Sequence, residues 1–338
     1  MNKSTLGFLR SGIGVAALAL ISATSVGAKE IVARMSYHWA PAHHSAIYCE
    51  KFAERVNERG KGIIRIDTFP SAQLFGIREN MGALTSGAIE LGGIVGTVSF
   101  PPINKNYNIE GMPGAFEDFA ELRAFFQEDE KGQEVWADIM NKTRSQLVAY
   151  NPVGPFLTFT SVRPLNSMDS YDGLKARYIA GHERPRLEAL GASVVSLPTG
   201  EVYTALQNGM IDTLSTVPSA IKAYSWWEYL KFGQKPYQFF LDAYIVANQE
   251  WWNGLPDDAR QIMIEVGKEI SEESTASIMQ FSDDVLEEFI ANEGGRIDEF
   301  SAEESAKLEK LNTDVILPAL ATYVDPDVLT AMKEFTAD

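Results

Sequence analysis

The sequence predicts an α/β protein of two lobes, and three observations carry that reading. Strand-length apolar runs alternate with amphipathic helical stretches over residues 31–95, and the same alternation returns over 156–212. A third stretch, from Pro256 to Asn292, has no proline after its first residue and no turn signal before Gly294-Gly295, which predicts a helix longer than one compact domain needs. The chain has 338 residues, enough for two domains of ordinary size.

The elements follow in order. Ile31 to Met35 reads as a strand, and the loop Ser36-Tyr37-His38-Trp39-Ala40-Pro41 leads into a helix from Ser45 to Arg59. Ile47, Phe52 and Val56 form the apolar stripe of that helix, and Gly60 and Gly62 end it. Ile63 to Phe69 is a second strand closed by Pro70, Gly76 to Ser86 a helix, and Ala88 to Val95 a third strand. A β-α-β-α-β order implies a parallel sheet with right-handed crossovers. The second unit holds an antiparallel-looking strand (Phe156 to Ser161), a strand at Lys175, a helix from His182 to Leu190, a strand at Val194, a helix from Glu201 to Asn208 and a strand at Ile211. Pro256-Asp257-Asp258 is a good first turn, with proline at the start and acids at the positive end of the helix dipole. At about 1.5 Å per residue the helix it opens exceeds about 50 Å, unless it breaks near Gly267 or Ser271, and it would serve as a spine under both lobes. Ser301-Ala-Glu-Glu304 is a capping box that starts one more helix.

Residues 1–28 read as a secretory signal. Lys3 and Arg10 make a basic start, Gly12 to Val26 a short apolar core, and Val26-Gly27-Ala28 a small-residue cleavage site. The apolar stretch is too short for a membrane-spanning helix. The expected mature protein is therefore soluble and exported to the periplasm. Its single cysteine, Cys49, excludes an intramolecular disulfide and a lipobox anchor. Loss of Lys3 and Arg10 takes the formal net charge from −17 to −19. So acidic a protein is a poor partner for nucleic acid or anionic lipid, and an anionic ligand needs a local positive site working against the overall field.

Such a site is suggested by Gly173-Leu-Lys-Ala-Arg177-Tyr-Ile179, which puts an arginine inside an apolar, strand-like run. An unpaired charge in a low-dielectric interior costs several kcal/mol. Either a protein carboxylate, Asp172 or Glu201, neutralises Arg177, or the position receives an anion, which a planar guanidinium grips with two parallel hydrogen bonds. Tyr37, His38 and Trp39 follow the first strand, where the C-terminal ends of parallel strands form a ligand crevice. The alternative for these rings is packing. Gly92-Gly93-Ile-Val-Gly96-Thr97 also follows a strand and permits close backbone approach to a ligand, or tight lobe packing. The aromatic group Trp226, Trp227 and Tyr229 reads as core or as a pocket wall, with Trp226 placed at the wall; Trp251 and Trp252 are assigned to packing, and Asp212 to holding a turn or a partner cation. His38, His43 and His44 lack the cysteine or paired carboxylates of a metal site, so neither a metal nor a cofactor is expected. No G-x-S-x-G elbow, H-E-x-x-H pair or phosphate-binding loop occurs, which speaks against an enzyme.

Seven stretches in chain order resemble one family. Phe52-Ala-Glu-Arg-Val56 with Gly62 to Leu74, Leu84 to Leu91, Gly111 to Asp118, Tyr171 to Arg177, Leu190-Gly-Ala192, Glu201 to Asp212, and Val246-Ala-Asn248 with Trp252, Leu255 and Pro256 are similar to the solute-binding subunits of tripartite ATP-independent periplasmic (TRAP) transporters, of the dicarboxylate-receptor type. The resemblance implies a periplasmic-binding-protein fold: two α/β lobes, hinge strands and a long helix spanning both. The expected division is residues 29–152 plus about 243–282 for the first lobe, and 153–242 plus about 283–338 for the second. It also implies that Arg177 binds a ligand carboxylate, that the lobes close with the Tyr37–Trp39 and Gly93–Thr97 loops over the ligand, and that a membrane permease receives it from a monomeric protein. The alternatives are a ligand-binding sensor for a membrane receptor and, behind it, a carboxylate-using enzyme. Where relatives carry an acid and an amide in a loop after the aspartate, this chain has Asp212-Thr-Leu-Ser215-Thr216, which puts hydroxyls in that loop, at the site. Some relatives also carry a second arginine before the strand that corresponds to Phe156–Ser161. Phe156 to Ser161 has none, so a small organic acid with one anionic group is the expected ligand.

Overall fold

The structure, a computed structural model, describes residues 29–337; the signal read at residues 1–28 lies outside the described residues. Thirteen strands follow in chain order: β1 (Ile31–Ser36), β2 (Ile64–Phe69), β3 (Leu91–Val95), β4 (Ser145–Tyr150), β5 (Gly154–Pro155), β6 (Leu157–Thr160), β7 (Lys175–Tyr178), β8 (Ser193–Ser196), β9 (Thr213–Thr216), β10 (Phe232–Lys235), β11 (Phe240–Leu241), β12 (Ala243–Asn248) and β13 (Arg296–Glu299). They make one sheet in the order β2-β1-β3-β12-β4, a second in the order β13-β10-β6-β9-β7-β8, and a two-stranded pair of β5 and β11.

In the first sheet β1 runs parallel to β2 and β3, as the β-α-β-α-β order requires, whereas β12 is antiparallel to β3 and β4. The first sheet therefore receives a strand from residues that follow five of the six strands of the second sheet in sequence. In the second sheet β7 lies parallel to β8 and β9, and β6 is antiparallel to β9 and β10. Two crossings join the lobes and are laced together. The amides of Asn151, Val153 and Phe156 donate to the carbonyls of Ala243, Leu241 and Phe239 at 2.8, 2.9 and 3.0 Å.

The long helix, Asp257–Asn292, is unbroken through 36 residues, about 54 Å. Its low amphipathicity follows from its position. It packs on helix His44–Arg59 and β4 at one end and on helix Pro218–Ala223 and β13 at the other, so the buried face changes partner along its length. Gly267 and Ser271, where a break was considered, are contact points instead. A Cβ on Gly267 would lie 2.2 Å from the Val148 carbonyl oxygen, and Ser271 Oγ accepts the Tyr150 amide at 2.9 Å. Both adapt the helix to β4.

The structure departs from the sequence reading in several places. The helix expected from Gly76 spans only Asn80–Thr85. The strand placed at Ile211 is β9, starting at Thr213, so Ser215 and Thr216 lie on a strand and not in a loop. Only half of the capping box forms: Ser301 Oγ accepts the Glu304 amide at 3.2 Å, while the Glu304 carboxylate takes the Met168 amide at 2.7 Å. Finally, Ile316, Leu320, Val328 and Met332 share a buried cluster with Ile109, Phe125 and Ile139 of the first lobe, and Lys105 pairs with Asp325 at 2.5 Å. Residues after about 312 thus pack on the first lobe, although the sequence division put them in the second. Amphipathic periodicity fixes which face of a helix is buried, not which lobe buries it.

Candidate ligand-binding cleft

The two sheets present their strand ends to each other across a cleft. Tyr37, His38 and Trp39 extend β1 into it, β7 ends at Tyr178 and β9 at Thr216. A cavity of about 50 Å³ lies there. His38, Trp39 and Val95 line it from the first lobe, Arg177, Thr216, Tyr224 and Trp226 from the second, and Phe156 and Leu241 from the hinge.

Arg177 sits on β7 in register with Val195 and Leu214. It is 3% exposed. Its Nε donates to the Leu197 carbonyl at 3.0 Å. Among the described residues no carboxylate forms an ion pair with it, so neither Asp172 nor Glu201 neutralises it. Burial pulls its pKa down to about 10, with Glu183 opposing and Arg78 assisting, which leaves a cation at neutral pH. The neighbouring imidazoles are neutral. Burial, reinforced by Arg177, drives His38 down to about 3, and burial holds His43 well below its ordinary value. The cavity therefore carries one positive charge whose outer nitrogens have no protein acceptor.

The lobes are closed on each other. His43 Nδ1 accepts the Ser45 amide at 3.1 Å, which leaves the ring proton on Nε2 to meet Ser219 Oγ of the second lobe at 3.1 Å. Tyr224 Oη donates to the His38 carbonyl at 3.3 Å, and Arg78 Nη2 to Ser196 Oγ at 2.8 Å.

The sequence-selected residues divide into two groups. Arg177, His38, Trp39, Thr216 and Trp226 line the cavity, Trp226 stacking on Tyr224 with centroids 5.0 Å apart. The other four face elsewhere. The Tyr37 hydroxyl bonds the Glu50 carboxylate and its ring is wholly buried, so it belongs to the core. Gly96 makes room for Tyr107, since a Cβ there would come within 2.5 Å of the Tyr107 oxygen. Gly93 does the same for Trp39, at 2.6 Å, so the glycine run admits rings of this chain. Thr97 borders a wider opening of about 870 Å³ at the cleft mouth, together with Arg78 and Ile179. Ser215 points to the opposite face of the sheet from Thr216, meeting Thr158 Oγ1 at 3.2 Å. Asp212 ties the starts of the paired strands β7 and β9 together, its Oδ1 accepting the Lys175 amide at 2.9 Å.

Sequence reasoning missed Phe156, Thr199, Tyr224 and the lining role of His43. Tyr224 lies two residues from Trp226, so the aromatic cluster was a usable signal. Phe156 and Thr199 carry none. Among the described residues no group of His, Cys, Asp and Glu could hold a metal ion, and no helix is long and apolar enough to cross a membrane.

Comparison with known proteins agrees with this geometry. The chain is similar to the C4-dicarboxylate-binding periplasmic protein DctP of Rhodobacter capsulatus, 24% identical over 328 residues that span 96% of this chain and 97% of that protein. It is similar to the sialic acid-binding periplasmic protein SiaP of Vibrio cholerae, 27% identical over 79% of this chain and 82% of that protein. Among solved structures, a TRAP periplasmic solute-binding protein of Shewanella oneidensis with bound succinate superposes with a TM-score of 0.82 at 21% identity, covering 91% of this chain and 99% of that one. The Bordetella pertussis receptor DctP7, which binds pyroglutamic acid, gives 0.81 at 17% identity, covering 91% of this chain and 99% of that one. Residues 35–319 match the DctP family, and the chain belongs to these bacterial extracellular solute-binding proteins of family 7.

Proposed function

We propose that this protein captures a small organic acid with one carboxylate by closing its lobes, in the periplasm, and hands it as a monomer to the membrane subunits of a TRAP transporter. The observation that carries this reading is Arg177: a buried guanidinium with no protein carboxylate, aimed into an interlobe cavity whose histidines are neutral. A ligand carboxylate supplies the missing counter-charge and accepts two parallel hydrogen bonds. The solved relatives hold small organic acids, pyroglutamic acid and galactonate with one carboxylate and succinate with two. The ligand seats on Arg177 in the open form, and His38, Trp39 and Phe156 then enclose its carbon skeleton. Binding draws the population toward the closed form because only that form surrounds the ligand. Export by removal of residues 1–28 is part of the same reading; the N-terminal sequence of the periplasmic protein tests it.

The direct test is a thermal-shift screen of the mature protein against small carboxylates and sulfonates, with Arg177→Ala alongside. An acid at about 100 times its Kd adds roughly 2.7 kcal/mol and raises Tm by several degrees. Arg177→Ala is expected to weaken binding by about 2–5 kcal/mol, and Arg177→Lys to weaken it less, because lysine keeps the charge and loses the fork. Full affinity in Arg177→Ala would end this assignment.

A further inference from the structure

A second, smaller polar chamber flanks the Arg177 cavity at the same edge of the second sheet, and Gly111 and Pro113 of the first lobe help to close it. Consecutive residues of β9 serve the two spaces, Thr216 the Arg177 cavity and Ser215 the chamber. The spaces meet at the stacked rings of Phe156 and Phe239, 4.5 Å apart between centroids.

The groups lining this chamber have fewer partners than their burial demands. His182 is 3% exposed, and neither ring nitrogen has a protein partner. Glu183 accepts the amides of Ile179 and Ala180 on Oε1, at 3.1 and 2.9 Å, while its buried Oε2 accepts nothing. Arg186 is 5% exposed, and its protein hydrogen bond is a long one, 3.4 Å, to Thr158 Oγ1. That Thr158 oxygen already receives Gln238 Nε2 at 2.6 Å. Glu183 stands in the field of both Arg177 and Arg186. Burial pushes its pKa up and the two guanidiniums oppose the rise; one acid between two guanidiniums leaves one charge for a single ligand carboxylate. The chamber measures about 10 Å³, the room of one hydroxyl or water oxygen and too little for a second carboxylate.

We propose that this chamber is a hydroxyl-recognition subsite, and that the ligand is a hydroxylated monocarboxylic acid with its carboxylate on Arg177 and a hydroxyl among His182, Glu183 and Arg186. This rests on the carboxylate reading of Arg177. A hydroxyl both donates and accepts. Glu183 Oε2 accepts its proton, Arg186 donates to its oxygen, and the neutral imidazole can do either. Lobe closure seats the His182 ring against Gly111, where a Cβ would come within 2.3 Å of the ring. Closure on an acid without the hydroxyl strips these groups of water and gives nothing back, which is how a polar site rejects an analogue lacking one group.

The experiment is calorimetric titration with acids of three to six carbons, each hydroxy acid paired with its deoxy parent, beginning with lactate and propionate. The wild type is expected to prefer the hydroxylated member of at least one pair by about tenfold or more. His182→Phe and Arg186→Met should bring that ratio close to one, and Arg177→Ala should lose both acids. If Arg186→Met does not fold, Gly111→Ala serves in its place, since it displaces the His182 ring and should also lower the ratio. Equal affinity for the members of every pair in the wild type, or a ratio unchanged in His182→Phe, overturns the hydroxyl subsite alone. Failure of every acid to bind overturns the carboxylate reading with it, so the two failures are distinguishable.

Discussion

At the scale of single residues, burial without compensation separates ligand groups from structural ones. Arg123 is the structural contrast to Arg177. It donates Nε to Asp242 Oδ2 at 2.6 Å and Nη2 to Asp242 Oδ1 at 2.9 Å, its Nη1 bonds Thr275 Oγ1, and it lies 4.5 Å over the Tyr150 ring. Every donor group of that fork is used. Asp242→Asn should therefore cost about 3–5 kcal/mol in chemical unfolding, because it strands a buried cation. Arg177→Met should do the reverse: the ligand-free protein gains about 1–3 kcal/mol as an uncompensated buried charge disappears. A loss of stability would return Arg177 to a structural ion pair. Glu110 gives a pH test. It accepts the Asp242 amide at 2.5 Å on Oε1, its Oε2 is unpartnered, and burial pushes its pKa well up. Its folded state holds a proton that the unfolded chain releases above about pH 4.5. Folding must take that proton up, so its contribution to stability falls as pH rises from there. Glu110→Gln removes the linkage. Its stability relative to wild type should climb above pH 5 by up to about 1.4 kcal/mol per pH unit, read from denaturant unfolding at pH 5, 6.5 and 8. A flat difference would mean that Glu110 is ionised in the fold.

At the scale of elements, two glycines in helices make opposite predictions from the same substitution. Gly82, within Asn80–Thr85, has nothing within 4 Å of where a Cβ would stand, so Gly82→Ala should stabilise by up to about 1 kcal/mol through helix propensity. Gly267, in the long helix, faces a β4 carbonyl oxygen at 2.2 Å from that position, so Gly267→Ala should destabilise by about 1–3 kcal/mol despite the same gain in propensity. Paired thermal melts decide it. Two melts that both rise would show that the helix can draw away from β4. The outer face of the same helix is tied to helix His44–Arg59 by Arg55 with Glu273 at 2.7 Å and Arg59 with Glu269 at 2.7 Å. These are largely exposed pairs, and each adds little.

At the scale of the whole molecule, closure is a population governed by a few bridging contacts. The long helix and the paired crossings at residues 151–156 and 238–243 hold the lobes as neighbours, while Arg78–Ser196, Tyr224–His38 and His43–Ser219 span the cleft. None of the three is charged on both sides, so they are too weak to lock the cleft without a ligand. Small-angle scattering should show the radius of gyration falling when a binding acid is added, and no change in Arg177→Ala. An unliganded protein already as compact as the complex would place closure outside ligand control. The formal charge of −17 bears on the same step. The anion arrives against the field of the molecule, and only the short-range guanidinium at the bottom of the cleft reverses it.

The α/β class, the parallel start of the first sheet, the long helix and the buried strand position of Arg177 were all legible in the sequence, because each rests on local periodicity or on the cost of one charge in an apolar run. Register and partnership were not. A strand assigned two residues early put Ser215 and Thr216 in a loop, and the period-two alternation of a real strand sent one to each face. Tyr37 was chosen with His38 and Trp39, yet its hydroxyl found Glu50, thirteen residues away. The glycine run left open ligand approach or packing, and the rings of Trp39 and Tyr107 decided for packing. A second buried guanidinium, Arg186 on the helix Glu183–Ala189, reaches Thr158 of the Phe156 strand at 3.4 Å, a contact that a search of the strand's own residues could not find. A sequence determines which groups must be satisfied. Only the tertiary structure decides which of them the protein satisfies itself, because partners far apart in the chain meet only when the lobes are packed.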